Sequence, residues 1–355
     1  MATENSAALT TVPLTPDGRP TQPSSGSQAA RAAVTYCPTR GCHLCGCRKF
    51  ELLSVRDRHG DPLRTVACWR CGLVAQETIA APDELEQFYR EEYREEYNGE
   101  RSPSPRRVVR EWHRARERFA LLKSYLRPDD AVFEVGAGIG CNLKQFELAG
   151  HAAEGIEPGR GFAEFSRREL CCDVRVATLE QVTSSSRWDL VLLVHVLEHL
   201  PFPKSALGQI RDFLRPGGRL YVEVPNLAAP HSGPGQLFHR AHLYDFTPWT
   251  LAALANASGF EVLAQLSDPG NRNLQMVLQR RDSFEYSVDA SSFARTREIL
   301  DRHTSLTYYG RWSYLRRRGG ELLRAAARRL TIRREYAAIL QQCREQLRLA
   351  RRSAA

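Results

Sequence analysis

The chain has 355 residues, 42% of them hydrophobic and 26% charged, with ten cysteines and a formal net charge of +9. That length accommodates two or three domains with buried cores, and no apolar run approaches the ~18 to 20 residues of a membrane span. The opening M-A-T-E-N-S-A-A-L-T has neither the basic nor the apolar region of a secretory signal, so a cytoplasmic protein is expected.

The charge is uneven. Residues 301–355 hold 14 arginines against Asp301, Glu321, Glu335 and Glu345, which is 14 − 4 = +10 and leaves −1 for the preceding 300 residues. Any anionic partner is therefore a matter for the tail and not the body.

In chain order, residues 1–35 are rich in Ala, Thr, Ser and Pro without apolar periodicity, and read as a disordered leader. Residues 36–80 contain six of the ten cysteines, a clustering that in a cytosolic chain favours metal over disulfides. Cys42-His43-Leu44-Cys45-Gly46 and Cys68-Trp69-Arg70-Cys71-Gly72 are two C-x-x-C-G knuckles, 22 residues apart. Each knuckle can turn two thiolates toward one ion, and together they complete a closed tetrahedral site. Cys42, Cys45, Cys68 and Cys71 are thus the expected ligands of a structural Zn2+. A redox C-x-x-C is the competing reading, opposed by the duplication and by the glycine that follows each copy. Cys37 and Cys47 are spare, with a ligand swap left open.

Residues 81–130 read as a helical lid or linker: a charged, aromatic-bearing stretch Pro82–Tyr97, a break at R-S-P-S-P, and a helix over Val108–Leu126. Residues 131–280 alternate in the β/α manner. Strands are expected at Ala131–Val135, Ala152–Ile156, Val174–Ala177, Trp188–Val194, Arg219–Val224, Phe260–Leu266 and Leu274–Gln279. Helices are expected at Asn142–Leu148, Phe162–Leu170, Lys204–Leu214 and Thr247–Ser258. The unbroken W-D-L-V-L-L-V suits a central parallel strand covered on both faces. Residues 281–355 form an arginine-rich helical tail broken at Gly319-Gly320. It reads as a solvated amphipathic helix or coiled-coil partner, or as a contact for anionic lipid or phosphate.

The chemistry begins at V-F-E-V-G-A-G-I-G, where a strand ending in Val135 feeds a Gly136-x-Gly138-x-Gly140 loop. Glycine lets the backbone turn tightly and approach a ligand. A dinucleotide fingerprint would place a third glycine at 141, where Cys141 stands. Glu157, 17 residues past Gly140, sits near the offset at which an acid receives ribose hydroxyls. W-D-L-V-x-x-x-x-V-L-E-H-L and L-R-P-G-G follow in order.

Together these motifs, spread over much of residues 131–280, resemble class I S-adenosyl-L-methionine (SAM) methyltransferases. The resemblance implies an α/β fold: a Rossmann-like, seven-stranded, mostly parallel sheet, here preceded by a small four-cysteine zinc ribbon and followed by a basic helical tail. It implies that Glu134, Gly136, Gly138 and Gly140 face the methionine part of SAM and that Glu157 holds the ribose. Thr178 and Leu179 would lie beside the adenine, and His195 near the sulfonium. Methyl transfer is an in-line displacement from an already activated donor, so the protein contributes positioning and a preorganised site. A base is needed only when the acceptor must lose a proton.

Histidine suits that role, and five of the ten histidines lie between 195 and 242. His199 stands in V-L-E-H-L, and His239 and His242 in F-H-R-A-H-L-Y-D-F-T. Singly, each also fits a hydrogen-bonded structural histidine. Glu198-His199 with a distant histidine offers a further alternative, a divalent metal, as in methyltransferases whose motif is E-x-x-E-H; His195 replaces its first acid here.

The ribbon, the E-V-P-N strand end and H-L-Y-D-F-T together resemble bacterial zinc-ribbon methyltransferases of glycan and natural-product pathways, related to nucleotide-sugar C-methyltransferases. In those sugar enzymes, histidines at the counterparts of His199 and His242 serve acid/base roles. This chain departs from them at Ala241, where an acid usually precedes the second histidine, and in having a short arginine-rich tail instead of a large C-terminal domain. The expected activity is methyl transfer from SAM to a sugar-containing or small-metabolite acceptor, at oxygen or carbon, with a small molecule or glycan as partner. An RNA methyltransferase is the rival enzyme, disfavoured by the near-neutral body, and a catalytically silent scaffold is the non-enzymatic rival. Neither the acceptor nor the oligomeric state is legible.

Overall fold

Four short strands open the fold: β1 (Thr35–Tyr36), β2 (Phe50–Arg56), β3 (Pro62–Cys68) and β4 (Val74–Gln76), all antiparallel to their neighbours. The computed structural model describes residues 35–36, 41–79, 102–183, 187–229, 232–233, 235–282, 286–309 and 331–349. The expected leader through residue 34, the stretch Pro82–Tyr97, Cys37 and the Gly319-Gly320 break lie outside them.

Helix α1 (Pro105–Leu122) begins earlier than the Val108 expected. The R-S-P-S-P segment is its start signal: the Ser104 side chain accepts from Arg107 N, and Pro105 occupies the first turn, where its missing N–H costs nothing. Next come β5 (Val132–Val135), α2 (Cys141–Leu148), β6 (Ala153–Ile156), α3 (Arg160–Phe165) and β7 (Asp173–Arg175). The helix expected over Phe162–Leu170 instead changes at Ser166 to a wider π-helical turn, which Cys171 ends with a left-handed φ of 56°. Then follow β8 (Trp188–Val194), α4 (Pro203–Phe213), β9 (Leu214–Pro225), β10 (Tyr244–Asp245), α5 (Pro248–Ala257), β11 (Phe260–Gln265) and β12 (Asn273–Arg280). Strand β9 starts five residues before the expected Arg219, because the P-G-G turn loops out between the pairings Trp188↔Leu214 and Leu190↔Arg219. Gly217, at φ 73°, makes that bulge.

The main sheet has seven strands in the order β11-β12-β9-β8-β5-β6-β7. Strands β5 to β9 are parallel to their neighbours within it, and β12 runs antiparallel between β9 and β11. Its centre is β8, covered on both faces as its apolar run requires. Buried Trp188 stacks on Phe133 at 4.1 Å between ring centroids and meets Phe213 edge-on at 5.6 Å. The ribbon sheet is not closed on itself. Its fifth strand is β10, from the far side of the sequence, and Thr35–Ala355 forms one compact unit.

The described part of the basic tail departs from a solvated helix. Residues 331–349 are helical, and Ile339, Leu340 and Cys343 are buried against Val108 and Trp112 of α1 and Leu143 and Phe162. Tyr336, Ile339, Leu340 and Cys343 fall on one helical stripe, which is what a packed helix needs. Polar contacts at its edges, His113–Glu335 at 3.1 Å and Arg344–Glu169 at 3.0 Å, frame this apolar seam. Among the described residues no helix is long and apolar enough to cross a membrane. Leu340→Asp should place a charge in that seam and detach the helix. Limited trypsin digestion is expected to cleave at Arg344 and Arg348 faster than in the parent protein, and unchanged cleavage would show that this seam does not hold the helix.

Candidate active site

Two adjoining cavities lie at the carboxyl ends of the parallel strands, where open α/β sheets place ligands. The larger, about 710 Å³, runs under α1 and is lined by Glu134, Gly136, Gly138, Glu157, Thr178 and Leu179, with His195 and His199 at its far end. Gly138, at φ 56°, faces open space where a Cβ would stand. Gly140 is not on the wall: at φ 79° it begins α2, and a Cβ there would lie 2.1 Å from Ser166 Oγ. Its missing side chain thus serves close packing and not ligand contact.

Glu157 secures the loop. Its Oε2 accepts from Gly138 N and its Oε1 from Gly159 N, each at 2.9 Å. A carboxylate offers about four lone-pair sites, so acceptor capacity remains toward the cavity. Glu134 Oε1 accepts from Asn142 Nδ2 at 2.6 Å, while its buried Oε2 has no hydrogen-bond partner among the described residues. Burial pushes the Glu134 carboxyl up to about 8, against the opposing pull of Asn142. Thr178 caps the short 3-10 turn Leu179–Gln181 and fixes the cavity edge that both residues line.

The smaller cavity, about 310 Å³, shares His195 and His199 with the first. Glu198, His239, His242 and Asp245 line it, with Arg58 and Arg272 toward its rim. The structure gathers His199, His239 and His242 into one wall: His242 lies 5.0 Å from His199 and 3.6 Å from His239 between ring centroids. His199 Nδ1–H donates to Ala241 O at 2.6 Å, so the residue that replaces the usual acid still orients the ring through its backbone. Burial, with Arg58 and His199 adding to it, lowers His239 to about 3. Burial likewise holds His242 well below its ordinary value. Both rings are neutral near pH 7. Asp245 is raised to about 8 by burial and by Glu198.

His195 has a left-handed φ of 53°, which for a non-glycine residue is strained. Strand β9 holds it there, His195 N donating to Glu223 O at 2.8 Å. Its ring lies between two buried carboxylates, Nδ1 3.3 Å from Glu198 Oε1 and Nε2 3.4 Å from Glu223 Oε1. Burial opposes its charge, but these hydrogen bonds prevail and raise it to about 9. Glu223 in turn accepts from Arg118 Nε (2.7 Å), Asn273 Nδ2 (2.6 Å) and Tyr221 OH (2.8 Å). Burial disfavours its charge, yet His195 and Arg118 hold it well below the usual carboxylate range.

None of Arg118, Tyr221, Glu223 or Asn273 figured among the expected site residues. Glu223 carried a signal, an acid inside the apolar strand L-Y-V-E-V. The other three did not, because a single polar residue on an amphipathic element is ordinary before its partner is known.

The four knuckle cysteines converge, with Cys42–Cys71 and Cys45–Cys68 sulfurs each 3.5 Å apart and all four within 4.8 Å of one another. Each knuckle closes on a glycine of positive φ, Gly46 and Gly72. Cys47 lies outside the cluster, its sulfur accepting from Lys49 N. The ribbon reaches the histidines directly. Strand β4 pairs with β10, and Gln76 Nε2 donates to Arg240 O (2.8 Å), His242 O (2.9 Å) and His239 O (3.4 Å). Tyr244 OH bonds His43, inside the first knuckle, and donates to Pro201 O.

Residues 104–265 match the family described as "Methyltransferase domain". The chain is 27% identical over 209 residues to C-methyltransferase NovU of Streptomyces niveus, covering 57% of this chain and 47% of that protein. It is 31% identical over 107 residues to a ubiquinone biosynthesis O-methyltransferase of Paramagnetospirillum magneticum, covering 28% of this chain and 43% of that protein. The chain thus spans somewhat under half the length of these curated relatives. Among solved structures, Burkholderia thailandensis 1,6-didemethyltoxoflavin-N1-methyltransferase aligns with a TM-score of 0.47 at 23% identity, covering 59% of this chain and 96% of that one.

Gln76→Ala should loosen the histidine loop while sparing the larger cavity. Turnover is expected to fall about ten- to a hundred-fold with cofactor affinity unchanged, and a parallel loss of both would mean that Gln76 acts on the whole fold. For His195, the folded-state value of about 9 exceeds the ordinary 6.5, so folding takes up a proton between the two. The stability it contributes is complete below pH ~6.5 and is lost as pH rises through about 9. The stability difference between the parent protein and His195→Gln, measured by urea unfolding, should shrink over that window. A difference independent of pH would contradict the assignment.

Proposed function

We propose, from the class I methyltransferase domain that residues 104–265 constitute, that this chain transfers a methyl group from SAM to a small, sugar-containing or similar metabolite. The single observation that carries the reading is Glu134 Oε2, buried on the lining of the larger cavity and without a hydrogen-bond partner among the described residues. A buried acceptor without a donor costs free energy, and the ammonium of a methionyl group supplies one. Glu157 suits the ribose hydroxyls, and Thr178 with Leu179 the adenine edge. Gly138 leaves room for the methionyl chain, Gly136 lines the same wall while packing on Val196, and His195 is at the sulfonium end. Bound there, SAM supplies an activated methyl group.

The acceptor belongs in the 310 Å³ cavity, the small end of small-molecule sites and too small to enclose a polymer. That size and the near-neutral body favour a metabolite or glycan terminus over RNA. One of the histidines His199, His239 and His242 takes the acceptor's proton; His239 and His242 are neutral near pH 7 and so able to accept one. The imidazolium of His195 between its two carboxylates orients donor and acceptor without giving up its proton.

The cysteine set fits zinc by its own chemistry: four buried or half-buried sulfurs on two knuckles, none of them in a disulfide. Cys42, Cys45, Cys68 and Cys71 would hold the ion as a closed, structural centre. Its function is to brace the ribbon, and through Gln76 and Tyr244 the histidine loop.

Calorimetric titration with SAM tests the proposal. The zinc-loaded chain should bind one equivalent, with Glu157→Ala and Gly138→Val each weakening binding by about ten-fold or more, roughly 1.4 kcal/mol. A folded, zinc-loaded chain without measurable SAM affinity would defeat the reading.

A further inference from the structure

Glu198 and His199 close the short turn after β8, where the two cavities meet, and His242 enters from the loop that the ribbon holds. One carboxylate oxygen of Glu198 and one ring nitrogen from each of the two histidines lie within 4.8 Å of one another. The second carboxylate oxygen, Glu198 Oε2, is buried and has no hydrogen-bond partner among the described residues. An ionised oxygen in that position is costly unless something positive reaches it.

His199 adds an independent sign. Its Nδ1–H is committed to Ala241 O at 2.6 Å, which leaves Nε2 as the ring nitrogen placed to ligate. That nitrogen, not committed to Ala241 O whatever the protonation state, faces the Glu198 carboxylate at 4.0 Å. A metal-ligating histidine is held in this way, with its other ring nitrogen donating to a carbonyl or carboxylate. The backbone is set as well. Leu243 N donates to Glu198 O at 2.8 Å, tying the loop of His242 to the turn of Glu198, and Gln76 holds the His242 carbonyl. The three donors are therefore placed by the fold itself.

We propose that Glu198, His199 and His242 form a binding site for a divalent transition-metal ion at the junction of the two cavities. Two imidazole nitrogens and one carboxylate suit manganese, iron, cobalt or zinc better than magnesium or calcium, which favour all-oxygen sets. Three protein ligands leave coordination positions open toward the smaller cavity, where an acceptor hydroxyl can bind. This role rests on the methyl-transfer reading above: the ion acts as a Lewis acid on that oxygen and lowers its pKa. The hydroxyl proton passes to His239, whose ring lies tilted against that of His242 with centroids 3.6 Å apart. An oxygen–methyl bond then forms as the sulfur–methyl bond breaks, its electron pair returning to sulfur. His199 and His242 ligate, and His239 is left as the base.

Manganese titration of the full chain with its ribbon already filled by zinc separates the two metal sites, since Mn2+ does not displace zinc from four thiolates. Loss of the free Mn2+ electron paramagnetic resonance signal should report one bound ion per chain. Glu198→Gln and His242→Asn should each weaken that binding by about ten-fold or more, while both variants retain one zinc and the parent circular dichroism spectrum, which shows that they are folded. His113→Asn, on the outer flank of α1, should bind Mn2+ as the parent does. Absence of Mn2+ and Co2+ uptake beyond the ribbon zinc would overturn the site, as would uptake that neither substitution affects. Loss of SAM binding with Mn2+ uptake intact would instead remove the methyl-transfer reading and leave the metal site standing.

Discussion

The pairing of Val74–Gln76 with Tyr244–Asp245 is the constraint on which the smaller cavity and its histidines depend. A two-residue strand such as Tyr244–Asp245 has too few ladder bonds to hold its own conformation. It is extended because β4 offers it an edge, and β4 is presented by the knuckle that ends at Cys71-Gly72. The Gln76 amide NH2 shares its two hydrogens among the carbonyls of His239, Arg240 and His242, and the Tyr244 hydroxyl closes the circuit to His43 in the other knuckle. The ribbon is therefore more than an appendage. It contributes Arg58 to the smaller cavity and braces the loop that carries His239 and His242. A loop carrying His239 and His242 without this brace would be free to sample many rotamers, and the preorganisation that a reaction centre needs would be lost.

A second constraint is electrostatic. The core under α1 contains Glu134, Glu198 and Glu223 together with Arg118 and His195, an arrangement that does not maximise stability. Isolating any one of them is expensive, and removing one member of a buried ion pair typically costs about 3–5 kcal/mol. The protein offsets this by giving Glu223 a full set of donors: Arg118, Asn273, Tyr221, Gln275 and the His195 ring. Glu134 and Glu198 are left each with one unsatisfied oxygen. The contrast is informative. Among the described residues Glu134 and Glu198 each keep one buried oxygen without a partner on the lining of a cavity, open to a ligand as neither oxygen of Glu223 is.

Local chemistry was legible in the sequence, and tertiary partnership was not. The glycine loop, the W-D-L-V-L-L-V strand and the two knuckles each announce themselves because the residue types and their spacing act within a few positions of one another. The histidines of L-E-H-L and F-H-R-A-H-L-Y-D-F were visible as a cluster for the same reason. Gln76 and Arg118 were not, since the groups they hold lie over a hundred residues away and nothing local distinguishes either from a surface polar residue. Gly140 was assigned to the ligand because its neighbours are glycines, yet its own demand is the close approach of Ser166. The tail shows the converse. Its arginines dominate the composition, while the apolar stripe that packs it on α1 becomes meaningful only once there is a surface to receive it.

The sharing of His195 and His199 by both cavities bears on why the chain accepts a strained residue. In-line transfer requires donor and acceptor to meet across a narrow aperture from opposite sides, so the residues bounding the aperture must belong to both compartments. A strand leaving the sheet in ordinary β geometry would carry residue 195 past the opening. The left-handed turn at His195 stops the chain there, and the following 3-10 turn delivers Glu198 and His199 to the same rim. Strain of this kind persists only where the surroundings over-determine it. Here the Glu223 carbonyl holds the backbone of His195 while the Glu198 and Glu223 carboxylates hold its ring. The ion pairs that burden the core thus stabilise the backbone conformation that sets His195 and His199 on the lining of both cavities.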